Sequence, residues 1–117
     1  MPLANKTDLS QLTARQLRAR RRRLAAGLAD PAVTLQGSLV NQTRRCGKEG
    51  CRCARGELHG PYVYLSVGRG KGARLLYVPA QLAEAARRHI TLTGQIEVTL
   101  AAISAINLEL LARRELD

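Results

Sequence analysis

PYVYLSV at residues 61–67, GRGKG at residues 68–72 and ARLLYV at residues 73–78 read together as strand, turn and returning strand. β-Branched, aromatic and aliphatic residues fill the two flanks, and three glycines in five positions mark the reversal. Tyr62 and Tyr64 are two apart and so share one face of the strand, with Val63, Leu65 and Val67 on the other. The apolar set is expected to pack beneath a helix. The tyrosines are then left half-exposed, as cover for the neighbouring loop or as stacking surfaces for bases.

Upstream, AVTLQGSLVNQTR at residues 32–44 alternates apolar and polar positions, with Gly37 as an expected bulge. This adds a third antiparallel strand. Farther upstream, DLSQLTARQLRARRRRLAAGL at residues 8–28 has leucines near helical spacing, Asp8 or Ser10 to cap it, and Gly27 before Asp30-Pro31 to end it. Downstream of Pro79 the period becomes helical to the end of the chain. A helix over residues 80–116 is long for a chain of this size, and Gly94 marks the natural break or kink.

The expected architecture is therefore α+β: a basic N-terminal helix, a small three-stranded antiparallel sheet, and a long C-terminal helix. We expect one domain, with a basic arm at residues 1–31, a sheet and loop at 32–78 and the C-terminal helix at 79–117. Ile96, Leu100, Ile103, Asn107 and Leu110 follow a four-three spacing typical of a coiled coil. They could pack on the helix of residues 8–28. The protruding length favours instead a homodimer through this segment.

Charge sharpens the division. The 117 residues carry 19 Lys and Arg against 9 Asp and Glu. Residues 1–78 hold 15 of the basic and 4 of the acidic side chains, so the C-terminal helix is close to neutral. The cations cluster at Arg20, Arg21, Arg22 and Arg23, at Arg44, Arg45, Lys48, Arg52 and Arg55, and at Arg69 and Lys71. Localised positive charge points to a polyanion. Arg20 to Arg23 are consecutive, so they fan around the helix and cannot all meet one surface.

Between the first two strands, Cys46, Cys51, Cys53 and His59 lie within 14 residues in the order C-x4-C-x-C-x5-H. Three thiolates and an imidazole complete a tetrahedral set for structural zinc. The surrounding arginines and lysine favour thiolates over thiols. His89 or water could take the fourth place instead of His59. Competing readings are reduced structural thiols and a redox-active pair at Cys51 and Cys53.

The run GSLVNQTRRCGKEGCRCARGELHGPYVYLS, residues 37–66, resembles a family of small uncharacterised bacterial proteins with a CGKxxCRC…HGPY signature. The match falls on Cys46, Gly47, Cys51, Cys53, His59, Gly60, Pro61 and Tyr62. The resemblance implies a strand hairpin followed by a long helix, and an association with mobile-element and phage-related genes. It implies a DNA-related role by that association alone.

Several classes are disfavoured. The acids are scattered, neither His59 nor His89 has a Ser or Asp partner at motif spacing, and a nuclease would want paired carboxylates for Mg²⁺. No uninterrupted apolar run approaches the ~18 residues of a membrane span. MPLANKTDLS lacks the apolar core of a secretory signal, so a cytoplasmic protein is expected. The expected function is a non-enzymatic, nucleic-acid-binding accessory protein, DNA rather than RNA, with a zinc-ordered loop. The alternatives are a protein-interaction adaptor working through the long helix and a thiol-redox protein.

Overall fold

The computed structural model describes residues 8–45, 50, 56, 58–68 and 70–117. It has the expected α+β architecture: helix α1 (Ala14–Ala26), strands β1 (Ser38–Arg44), β2 (His59–Val67) and β3 (Arg74–Val78), then helix α2 (Ala80–Ala112). The chain forms two compact units, one of residues 1–32 and 94–117, the other of residues 33–93. The boundary after residue 32 follows the end of the basic arm, whereas α2 contributes to both units.

In the first unit, α1 starts later than the leucine spacing suggests. Asp8 caps a separate 3-10 turn at Leu9–Gln11, and α1 itself is capped by Thr13. The Thr13 hydroxyl accepts from the Gln16 amide at 3.1 Å, while the Gln16 side chain accepts from the Thr13 amide at 2.8 Å. Two otherwise orphaned donors are satisfied by this reciprocal box. Gly27 ends the helix as expected.

Leu17 on α1 packs with Ile106 and Leu110 on α2, all three essentially inaccessible, and Leu9, Leu12, Ala14 and Leu24 close around them. Burying each such side chain contributes about 1.5–3 kcal/mol. Polar contacts fix the register. The Arg113 guanidinium donates to the Leu9 carbonyl at 2.9 Å, and Arg21 donates to Asn107 Oδ1 at 2.7 Å. Positions rising along α1 thus meet positions falling along α2, an antiparallel pair.

Helix α2 runs for 33 residues through Gly94 without a break. The expected interruption is absent because a helical glycine costs only about 1 kcal/mol, far less than proline, and intact hydrogen bonds on both sides outweigh it. A Cβ at Gly94 would meet nothing within 4 Å. The helix ends at Ala112, short of the expected boundary, and Arg114 just beyond it adopts φ 60°. The amides of Arg114 and Glu115 then donate to the carbonyls of Leu111 and Leu110 at 2.9 and 2.8 Å, a Schellman closure.

By length and composition alone, α2 is also apolar enough to cross a membrane, a property that uninterrupted runs do not register. Scattered threonines and single polar residues break the run without making the segment hydrophilic.

In the second unit the strand order is β1-β2-β3, with both pairs antiparallel. Leu65 and Val78 are buried on one face, while Leu76 beside them on edge strand β3 is 62% exposed. Gly37 is no bulge. It enters β1 at φ 134°, where a Cβ would lie 2.7 Å from the Ser66 carbonyl oxygen and 2.9 Å from Leu65 Cδ1. The register shift falls instead between Gln42 and Arg44, opposite Gly60 and Pro61. The buried Thr93 hydroxyl accepts from the Leu35 amide and donates to the His89 carbonyl, both at 2.7 Å, which ties the chain before β1 to α2.

Candidate nucleic-acid interface

The pairing register decides which side chains share a surface. Tyr64 stands opposite Tyr77 on β3 and opposite Val40 on β1, and Tyr62 lies two positions along on the same side. All three tyrosines, which are the chain's entire aromatic content, therefore occupy one face of the sheet. Tyr77 meets Tyr64 and Tyr62 edge to face, with centroids 5.8 and 6.4 Å apart. The sequence reading paired Tyr62 with Tyr64 and missed Tyr77. A five-residue turn at GRGKG would pair Val67 with Ala73 and put Tyr77 on the other face; the six residues 68–73 between β2 and β3 bring it opposite Tyr64.

Arg44 closes β1 on this same face. Its guanidinium carbon lies 4.9 Å from the Tyr64 ring centroid, a cation–π contact, and the side chain also donates to Gln42 at 3.3 Å. Arg44 and Arg45 are exposed. None of the three strands contains an Asp or Glu.

Local geometry around the HGPY motif explains its composition. His59 opens β2 and pairs with Arg44, so the chain leaves and re-enters the sheet at neighbouring positions. Gly60 has φ 101°, and a Cβ there would sit 2.8 Å from the Tyr62 nitrogen and 2.9 Å from the Gln42 carbonyl oxygen. Only glycine fits so close to β1. The Gly60-Pro61 peptide is cis. Gly60 and Pro61 fall between the pairs Arg44–His59 and Gln42–Tyr62, so β2 carries one residue more than β1 here. The motif thus carries the strand from His59 to the tyrosine face.

Of the four expected zinc ligands, His59 is half-buried at the base of this loop, while Cys46, Cys51 and Cys53 lie outside the described residues. Among the described residues, no three His, Cys, Asp or Glu side chains gather in a metal-binding group. Lys48, Arg52, Arg55 and Arg69 also lie outside the described residues, whereas Lys71 is exposed in the β2–β3 turn.

The arginine run of α1 is divided. Arg21 is committed within the chain: besides Asn107, it makes a two-pronged contact with Asp117 at 2.7 and 3.0 Å. Those bonds hold the Asp117 carboxyl down to about 2. Arg22 and Arg23 are exposed, and Arg20 is half-buried.

The expected dimer seam is divided as well. Leu110 belongs to the α1–α2 core, Asn107 holds Arg21, Ile96 is buried and Ile103 half-buried, leaving Leu100 50% exposed.

The molecule is thus an α+β protein whose three-stranded sheet carries its three tyrosines and Arg44 on one face. Residues 14–88, from the start of α1 into α2, match the model of a domain of unknown function, DUF6788, and the chain belongs to that family. Neither the curated proteins nor the solved structures yield a match.

Proposed function

We propose that this protein is a non-enzymatic nucleic-acid-binding accessory protein, acting on DNA, with zinc ordering the loop between β1 and β2. The observation that carries the reading is the contact of Arg44 with Tyr64 on an acid-free sheet face. That face lies in the part of the chain holding 15 of its 19 basic residues. A phosphate backbone is the complementary partner for such a surface, and aromatic rings beside it suit nucleic acid better than an acidic peptide. Cytoplasmic localisation and a link to mobile elements belong to the same proposal.

Zinc is supported by the ligand chemistry of Cys46, Cys51, Cys53 and His59 and by the closed base of their loop at Arg44 and His59. Bound metal would order Lys48, Arg52 and Arg55 for phosphate contact. The purified protein should retard DNA in a gel and contain stoichiometric zinc, with its cysteines protected from alkylation. Rapid alkylation of Cys51 or Cys53 in metal-replete protein would favour a thiol-redox role and count against a structural metal.

One observation favours a second reading, an adaptor or homodimer built on α2. Leu100, Leu108 and Leu111 are 50%, 63% and 56% exposed along that helix. This reading predicts self-association that is lost in Leu100→Asp or Leu108→Asp, measured by sedimentation, without retardation of DNA.

A further inference from the structure

We infer that the tyrosine face of the sheet is a stacking platform for unpaired bases, so that the preferred ligand is single-stranded nucleic acid. The inference rests on the reading of this chain as nucleic-acid-binding and names the form of nucleic acid. Tyr62, Tyr64 and Tyr77 are the chain's only aromatic side chains, and none contributes to the buried core. That core is made of Leu, Ile and Val. The register instead gathers the three rings on one side of the sheet, with Tyr77 52% exposed and Leu75 on the same strand face 48% exposed.

A duplex hides its base faces within its own stack and offers phosphates and groove edges. A ring presented on a sheet has a partner only where bases are unpaired. The Tyr77 ring is tilted by 67° and 71° from those of Tyr64 and Tyr62, an edge-on arrangement that holds the rings in place without covering all their faces. Arg44, stacked on Tyr64 at the loop end of the face, supplies a planar cation for the backbone of the same strand. Exposed Arg45 beside it and the absence of acids on all three strands complete the charge complementarity. Ring stacking accepts any base, so sequence preference is weak.

The test uses the intact protein with oligothymidylate and with a duplex of equal length, at one salt concentration. Because the chain has no Trp, its intrinsic emission reports the three tyrosines alone. Single strand should quench that emission, and Tyr77→Ala should weaken single-strand binding about 5- to 150-fold per base lost. Duplex binding should be unchanged, and Tyr77→Phe should bind like the parent. If Tyr77→Ala binds single strand as tightly as the parent, or loses single strand and duplex equally, the platform is overturned while nucleic-acid binding stands. If neither ligand binds the parent protein, the underlying reading fails as well.

Discussion

Arg44 lies over Tyr64, its guanidinium carbon 4.9 Å from the ring centroid, and this contact joins the end of β1 to the aromatic face of β2. An exposed contact of this kind stabilises the fold by about 0.5–1 kcal/mol. Its larger consequence is on binding. Arg44→Ala should lower the salt slope on duplex DNA by about 0.9 if Arg44 holds one phosphate. Arg44→Lys should retain that slope while losing the planar stack. Fluorescence anisotropy over a salt series separates the two variants.

The α1–α2 pair depends on Leu17, which is fully buried against Ile106 and Leu110. Leu17→Ala should destabilise the first unit by about 2–5 kcal/mol through lost transfer energy and a cavity. Urea unfolding followed by helical circular dichroism measures it. A cost below that range would mean the helices separate more readily than their packing indicates.

Two positions, one within α2 and one just beyond it, should tolerate stabilising changes of opposite kind. Gly94→Ala adds a methyl group into open space and should raise stability by about 0.5–1 kcal/mol. Arg114 occupies the left-handed region that a side chain disfavours, so Arg114→Gly should gain about 1 kcal/mol. Thermal melts of both variants check the signs.

Much of this architecture was legible in the sequence because local chemistry and tertiary structure agree. The hairpin at residues 61–78 and the end of α1 at Gly27 follow directly from alternation and glycine placement. Other features depended on comparisons of competing energies or on register. Gly94 looked like a breaker because its cost was weighed without the hydrogen bonds that a break would forfeit. Thr13 and Gln16 carried a complete capping signature, hidden by leucines upstream that pack onto the core without being part of α1. The tyrosine face required knowing that Val67 pairs with Arg74, which puts Tyr77 opposite Tyr64. Arg21 reads as one more cation for DNA, and only the fold shows its commitment to Asn107 and Asp117.

That commitment predicts a pH dependence. Hydrogen bonds from the Arg21 side chain, then from its own backbone, lower the Asp117 carboxyl from 3.8 to about 2, with the charges of Arg21 and Arg18 adding to the effect. A depressed carboxylate stabilises the fold fully above its unfolded value, and the contribution is lost as pH falls through the folded one. Contact between the C-terminal tail and α1 should therefore loosen between about pH 4 and pH 2. The side chain of Asp117 is half-exposed, so added salt should weaken the effect. Asp117→Asn should abolish this part of an NMR-monitored titration.

The central claim is that the basic sheet binds a nucleic-acid backbone, and the salt dependence of binding by the unmodified chain tests it most directly. Each phosphate neutralised contributes about 0.9 to the slope of log K against log salt on duplex DNA and about 0.7 on single strands. A slope of several units with weak sequence preference is expected. Binding that holds constant from low to moderate salt, or no binding at low salt, would contradict it.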